Sequence, residues 1–105
     1  MREVTDETFE REVLRAGRPV IVDFWAPWCG PCKAVEPVLE ELSRSHGDRL
    51  EFTRLNVDEN YVTASRYQVL SIPTAILFAD GEARESVVGA RSRSHYERAW
   101  ATWLD

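Results

Sequence analysis

Two cysteines, Cys29 and Cys32, are the residues of this sequence best suited to chemistry, and two residues separate them. This spacing lets both thiols lie on the first turn of a helix and close a small disulfide ring. Gly30 keeps the turn open to a bulky disulfide, and Pro31 suits an early helical position because no N–H is needed there. The spacing is compatible with redox chemistry, a structural disulfide or part of a zinc site.

The position of the pair favours a reactive thiol. Residues 19–25 before it are almost all apolar, as in a strand buried on both faces. The residues after it repeat at the spacing of one helix face: Val35, Val38, Leu39 and Leu42. Cys29 should therefore lie at a helix N-terminus, where free backbone N–H groups and the helix dipole favour the thiolate and lower the thiol pKa.

The zinc and structural alternatives lack support elsewhere in the chain. A tetrahedral zinc site needs four ligands, usually as two close pairs. Besides the cysteines the chain offers two isolated histidines, His46 and His95, whose spacing fits no familiar zinc motif. A chain of 105 residues also buries a core without crosslinks. We therefore favour redox catalysis and expect no metal site.

Asp23 is the third candidate, because it is a carboxylate inside the apolar segment 19–25. Burial disfavours the charged form of a carboxyl group and should raise its pKa. Asp23 would have no catalytic role if it lay at an exposed strand position or were a buried acid with satisfied partners. It would have one as a general acid or base beneath the cysteine pair. From the residues alone both interpretations stay open.

Composition restricts the class of protein. The 105 residues suit one domain, with 44% hydrophobic and 30% charged residues. A net charge of −5 argues against nucleic-acid binding and fits an acidic monomer. The N-terminal residues show no targeting segment, and the longest apolar run, residues 20–22, is too short to cross a bilayer. We expect no membrane association and a cytoplasmic location.

The elements that must position these residues alternate between strand and helix. Periodicity and turn residues predict a short segment at 2–4, a helix from Thr5 or Asp6 to Gly17, a strand at 19–25, a helix after the cysteines, a strand at 50–57, a helix at 60–67, a hairpin of 74–79 and 83–89 around Asp80-Gly81, and a helix from about Ser92. This order predicts an α/β fold, a mixed sheet with helices on both faces, parallel strands first and an antiparallel pair last.

Residues 28–33, Trp-Cys-Gly-Pro-Cys-Lys, resemble the redox motif of the thioredoxin family, and residues 22–26 resemble that family's active-site strand. The resemblance continues through Pro37 and residues 55–58, 71–74, 80–81 and 88–90, so that it covers essentially the whole chain. It implies the thioredoxin fold, a central mixed five-stranded sheet flanked by four helices. It also implies a single domain over residues 1–105.

The resemblance implies a division of roles at the site. Cys29 would attack a protein disulfide, Cys32 would resolve the mixed disulfide, and Asp23 would help to deprotonate Cys32. Arg54 stands where the family usually has a lysine near that aspartate. Because arginine is permanently charged, it can hold the acid ionised but does not easily share a proton with it.

The resemblance also implies a substrate surface. The bond between Ile72 and Pro73 would be cis and lie beside the disulfide, and the residue before the proline would offer its backbone to an extended substrate. The same match gives the other contact and supporting residues: Trp25, Trp28, Gly30, Pro31, Gly89 and Ala90. Leu70-Ser71 departs from the family's more frequent basic-plus-glycine pair, which indicates a change in partner preference.

The implied activity is that of a general protein-disulfide reductase, a thiol–disulfide oxidoreductase without a bound cofactor. Electrons would come from NADPH through a thioredoxin reductase, since the chain has no nucleotide-binding glycine motif. A disulfide oxidase or isomerase is disfavoured because Gly30-Pro31 places no histidine between the cysteines. A binding module that uses the same apolar surface, with redox activity secondary, stays open as an added role.

Overall fold

A five-stranded sheet forms the centre of the computed structural model, which describes residues 1–104. In the order β1-β3-β2-β4-β5, β1 (Arg2–Glu3), β3 (Glu51–Asn56) and β2 (Val20–Trp25) are parallel, whereas β4 (Thr74–Ala79) runs antiparallel to β2 and to β5 (Glu82–Val88). The predicted mixed sheet is confirmed. Asp105, the last residue of the predicted domain, lies outside the described residues.

The helical segments follow the predicted order. They are a π-helical segment (Glu10–Leu14), α1 (Gly30–His46), α2 (Tyr61–Arg66), α3 (Arg93–Ala99) and α4 (Ala101–Leu104). α1 continues through its internal proline. Four helical regions therefore flank the sheet, and the last of them consists of the two short helices α3 and α4.

The first helix is much shorter than predicted. The side chains of Thr5 and Thr8 accept hydrogen bonds from each other's backbone N–H, at 3.2 and 2.9 Å, and so hold a local turn where the helix was expected to begin. The following turn is π-helical, with the Arg15 N–H donating to the Glu10 carbonyl at 2.9 Å. Its predicted apolar face still packs inward, because Phe9 and Val13 are both buried.

The C-terminal helix begins as predicted and then breaks. The Ser92 hydroxyl accepts a hydrogen bond from the His95 N–H at 3.3 Å and caps α3. The break falls at Trp100, which is fully buried and lies against Tyr96 and Phe52, with ring centroids 5.2 and 6.4 Å away. Tertiary packing of this indole overrides the continuous helical spacing of the sequence.

The core has two layers, one on each face of the sheet. Side chains alternate along β2, so Ile21 faces α1 and α3 while Val22 and Phe24 face the π-helical segment and α2. β2 is thus buried on both faces, as predicted. Asp23 shares the face of Ile21, and the fold thereby places a carboxylate under α1, the helix that begins at the cysteines.

The hairpin turn is also confirmed. Asp80 and Gly81 have φ angles of +55° and +79°, as a two-residue type I′ turn requires at both positions. β5, which this turn joins to β4, is an edge strand with mostly exposed polar and charged side chains. Such side chains discourage pairing with another chain along the edge.

Candidate active site

A disulfide between Cys29 and Cys32 lies at the start of α1, and both residues are almost completely buried. Cys29 is the N-cap residue, and its Sγ accepts a hydrogen bond from the Cys32 N–H at 3.2 Å. The same N–H would stabilise a Cys29 thiolate once the disulfide is reduced, because N–H groups at a helix start favour negative charge. The pair therefore lies where the sequence pattern predicted it.

The two residues between the buried cysteines are exposed. Gly30 and Pro31 form the first turn of α1. Apart from the adjoining residues and the backbone of α1, a methyl group added at Gly30 would meet no atom within 4 Å among the described residues. A second chain can therefore approach the backbone beside the sulfurs.

Asp23 is buried, with 3% of its surface exposed, and its Oδ1 has no hydrogen-bond partner among residues 1–104. The pKa of this carboxyl is raised to about 7, mainly by burial; Arg54 opposes the rise, and the carboxylates of Glu36 and Glu3 add to it. Arg54 acts in the expected direction, toward the ionised form, but desolvation has the larger effect on the Asp23 pKa. A carboxyl group with this pKa can exchange a proton at neutral pH.

Arg54 is engaged by other partners. Its Nε lies 3.0 Å from Glu3 Oε1, and its terminal nitrogen Nη1 lies 3.3 Å from Glu36 Oε1. The guanidinium carbon lies 3.8 Å from the centroid of the Trp25 ring, a cation–π geometry. Among residues 1–104, the ion pairs of Arg54 within 4.0 Å do not include Asp23.

The Pro73 loop reaches the cysteine pair from the other side. The bond between Ile72 and Pro73 is cis, as the family resemblance implied, and Ile72 packs against the cluster that contains both cysteines. The Gly89 N–H donates to the Pro73 carbonyl at 2.8 Å, and Gly89 has a φ of +90° that favours glycine. Ile72, Pro73 and Gly89 are thus brought together, and Ala90 follows them on the exposed surface.

An open groove of about 310 Å³ lies along the exposed edge of this site. Its lining is mainly apolar and consists of Trp28, Val57, Val69, Leu70, Ser71 and Ile72. Trp28 is 69% exposed, and its indole N–H donates to both carboxylate oxygens of Asp58, at 3.0 and 3.2 Å. Leu70 is 94% exposed. We call this lined surface the apolar rim.

Sequence reasoning missed three residues of this site. Glu36 and Glu3 engage Arg54, and Asp58 engages Trp28. Only Glu36 carried a signal, since it follows Cys32 by four residues and so lies on the same face of the helix. Glu3 and Asp58 act through tertiary contacts that periodicity does not report.

Metal ligation and membrane crossing find no support in the described part of the chain. Within residues 1–104, histidine, cysteine and acidic side chains form no group of three or more that could hold a metal ion. His46 lies 3.5 Å from Glu97, and the ring of His95 lies edge-on to Tyr96. No helix within those residues is long and apolar enough to span a bilayer.

Comparisons with known proteins agree with this geometry. A family model described as Thioredoxin matches residues 1–101. Thioredoxin 1 of Synechococcus elongatus is 51% identical over 87 residues, which cover 83% of this chain and 81% of that protein. The thioredoxin of Pseudomonas aeruginosa is 50% identical over 91 residues, 87% of this chain and 84% of that one. The chloroplastic M-type thioredoxin of Brassica napus is 46% identical over 87 residues, 83% of this chain and 49% of that protein.

Proposed function

The chain belongs to the thioredoxin family and is a thiol–disulfide oxidoreductase, and we propose that it works as a general protein-disulfide reductase. One observation carries the proposal. The Cys29–Cys32 disulfide caps α1 between a buried carboxyl group and an exposed apolar rim. This arrangement supports attack on a bound disulfide from the helix N-terminus, with a proton acceptor on the buried side.

In the proposed reaction the reduced protein binds a partner that contains a disulfide. The Cys29 thiolate attacks one partner sulfur and forms a mixed disulfide, while the other partner sulfur leaves as a thiolate and takes up a proton. Cys32 then loses its proton and attacks the Cys29 sulfur. The second partner sulfur leaves as a thiolate and is protonated in turn. The partner gains two electrons and two protons, and the Cys29–Cys32 disulfide of the structure is the oxidised product.

Asp23 is proposed as the general base for the resolving step. It lies under α1 in the strand that leads into the cysteine motif, and its pKa of about 7 suits proton exchange at neutral pH. Its carboxylate would accept the Cys32 proton and later return it to solvent. Trp25, in the same strand as Asp23, stacks on Arg54 of the neighbouring strand, and the two are proposed to support this role.

The apolar rim and the Pro73 loop are proposed to bind the substrate. Ile72, which precedes the cis bond, would pair its backbone with an extended segment of the partner. The other proposed contacts are Trp28, Pro73, Gly89 and Ala90, with Gly30 and Pro31 setting the redox properties of the pair. The exposed Trp28 and Leu70 side chains favour partners with apolar residues beside the disulfide.

Recycling is proposed to follow the family pattern. A thioredoxin reductase would pass electrons from NADPH to the Cys29–Cys32 disulfide, and the protein itself would bind no cofactor. We further propose a monomer, a single domain over residues 1–105 and a cytoplasmic location. The bacterial relatives support this location, although the M-type relative from Brassica napus is named as chloroplastic.

The direct test is reduction of insulin by the wild-type protein and by Cys29→Ser and Cys32→Ser, with dithiothreitol as the electron donor. We expect turnover only for the wild type. Cys32→Ser should accumulate a stable mixed disulfide with insulin, because it attacks but cannot resolve. Cys29→Ser is the matched control, since it keeps one thiol of the pair but lacks the attacking sulfur.

A wild-type protein that does not reduce insulin with dithiothreitol would overturn the reductase proposal. Trapping by Cys29→Ser and not by Cys32→Ser would reverse the roles of the cysteines. Replacing dithiothreitol by NADPH and a bacterial thioredoxin reductase tests recycling separately. Loss of turnover in that arm alone would reject the proposed electron donor and leave disulfide reduction in place.

A further inference from the structure

A row of three charged residues crosses the sheet beneath α1. In the strand register Glu3 of β1 lies opposite Arg54 of β3, and Arg54 lies opposite Asp23 of β2. Directly opposed residues on one face of a sheet are close enough to interact. Arg54 thus has an acidic neighbour on each side, and of these two neighbours it forms an ion pair with Glu3.

α1 adds a third carboxylate above this row. Glu36 follows Cys32 by four residues, so both lie on the same face of the helix. Its Oε1 lies 3.3 Å from a terminal guanidinium nitrogen of Arg54. Trp25, in the same strand as Asp23, stacks on the guanidinium. The Arg54 side chain is only 18% exposed, and these contacts from β1, α1 and β2 hold it in place.

We propose that Glu36 and Glu3 are positioning residues that hold the Arg54 guanidinium in ion pairs away from the Asp23 carboxyl group. Asp23 Oδ1 has no hydrogen-bond partner among the described residues, so it is an available acceptor beside a five-donor cation. The contacts of Arg54 with the glutamates are ion pairs, and its Nε–H also has no hydrogen-bond partner among the described residues, so charge attraction holds the guanidinium and its release from one carboxylate would let it turn toward Asp23. The two glutamates therefore compete with Asp23 for one guanidinium.

This competition matters for the proposed base. An arginine paired with a carboxylate strongly favours the ionised form and makes the carboxylate a weaker proton acceptor. With Arg54 held by the glutamates, the burial of Asp23 dominates and its pKa stays near neutrality. The inference rests on the proposed function for its biological meaning. The arrangement of charges can be tested without any assay of activity.

Charged and titratable groups face Asp23 from each neighbouring element that carries one. They are Arg54 on β3, Glu3 on β1, Glu36 and Cys32 on α1, and Tyr96 on α3. β4 presents Ala75 opposite Asp23 and β5 presents Val87 beyond it, neither of which titrates. In the oxidised protein Cys32 does not titrate, because it is in the disulfide. The oxidised form therefore isolates the effect of the three charged partners.

The test is an NMR titration of the Asp23 carboxyl carbon in the oxidised full-length protein, comparing wild type with Glu36→Gln. We expect the Asp23 pKa to fall by about half a pH unit or more, because one negative charge is lost and one guanidinium N–H is released toward Asp23. Glu3→Gln is a second, independent variant and should shift the pKa in the same direction. Both side chains are partly exposed, so the fold should tolerate the change.

The matched control is Glu40→Gln, which removes the same charge one turn further along α1 from a residue outside the Arg54 ion pairs. We expect a clearly smaller fall in the Asp23 pKa. In an Arg54→Met background the effect of Glu36→Gln should shrink, because only the loss of the Glu36 charge remains and no guanidinium is left to release.

Three results would overturn the inference. They are an unchanged or raised Asp23 pKa in Glu36→Gln, an equal shift in Glu40→Gln, and an undiminished effect in the Arg54→Met background. None depends on whether the protein reduces insulin. Failure of this proposal is thereby distinguishable from failure of the proposed function.

Discussion

The two sides of the Cys29–Cys32 disulfide reverse the usual distribution of polar and apolar groups. On the α1 side, the buried Asp23 carboxyl and a largely buried Arg54 lie in or beside the hydrophobic core. On the apolar rim, Trp28 and Leu70 are mostly exposed to solvent. A buried ionisable group costs folding free energy and an exposed large apolar side chain contributes almost none, and both mark functional sites.

The difference separates two tasks. The buried side contains a carboxyl group of raised pKa with charged neighbours, so it is equipped to control proton transfer. The rim contains apolar surface and the backbone of the Pro73 loop, so it is equipped to bind a partner chain. Substitutions on the buried side should therefore change pH profiles, and substitutions on the rim should change KM. A substitution that changed both would break the comparison.

The largest expected effect comes from Asp23→Asn. Without a proton acceptor the resolving step should slow by about a hundredfold at pH 7, near the lower end of what a positioned general base contributes. Rapid-quench measurement of mixed-disulfide decay would show this. In the wild type the rise of the decay rate with pH should show an inflection near the Asp23 pKa of about 7, and in Asp23→Asn that inflection should be absent.

The same substitution should stabilise the oxidised protein at high pH. The unfolded chain releases the Asp23 proton near pH 4 and the folded protein near pH 7, so the folded state binds more protons between these values. The wild-type free energy of unfolding therefore falls over this range by on the order of 4 kcal/mol relative to Asp23→Asn. Urea unfolding at pH 4 and pH 8 measures it. Asp48→Asn, an exposed control that keeps Asp23, should lose stability over this range as the wild type does.

A gain in stability with unchanged resolving rates would contradict the division of tasks on the buried side. It would leave Asp23 as a strained residue without a catalytic role. Equal stability of wild type and Asp23→Asn at pH 8 would instead show that the carboxylate is not destabilised by its surroundings.

An intermediate effect is expected from Leu70→Ser on the rim. Leu70 is 94% exposed, so its loss should not change the free energy of unfolding. If an apolar partner residue buries about half of this side chain, its removal costs about 1 kcal/mol of binding and raises KM roughly fivefold. KM for disulfide peptides with and without flanking leucines measures the effect. Val62→Ser, exposed on α2 but outside the groove, is the matched control.

If Leu70→Ser shifted the pH dependence of mixed-disulfide decay, a residue of the apolar rim would influence proton transfer, and the two tasks would not be separate. Equal KM values for the two peptides in the wild type would show that the rim does not select apolar neighbours. The sequence already showed that Leu70 departs from the residue type usual in the family. It did not show that Leu70 is exposed, because a single leucine before a serine gives no periodic signal.

Sequence periodicity predicted the fold well where one physical rule was sufficient. The burial of β2 on both faces, the cysteine pair at the start of α1 and the Asp80-Gly81 turn were all predicted and confirmed. Prediction failed where local and tertiary effects compete with spacing. Hydrogen bonds of the Thr5 and Thr8 side chains hold a turn where the first helix was expected to begin, and the last helix is interrupted at the packed Trp100.

The site, like the fold, could be predicted only in part from the sequence. Asp23 was identified because a carboxylate in an apolar strand is costly, which needs no knowledge of its neighbours. The state of Arg54 was not predictable, because its partners Glu3 and Glu36 come from a strand and a helix far from it in sequence. The sequence predicted the direction of each effect on the Asp23 pKa, a rise from burial and a fall from Arg54, but not which of the two is larger.

The smallest expected effect comes from Asp58→Ala, which removes the acceptor of the Trp28 indole N–H. An exposed hydrogen bond of this kind contributes about 0.5 kcal/mol, so KM should rise only about twofold. Indole N–H exchange of Trp28, followed by NMR, should become faster because the ring is no longer held. The pH dependence of mixed-disulfide decay should stay at its wild-type position. A displaced pH profile would mean that the rim and the buried side are electrostatically coupled across the disulfide, and the separation of recognition from proton transfer would not hold.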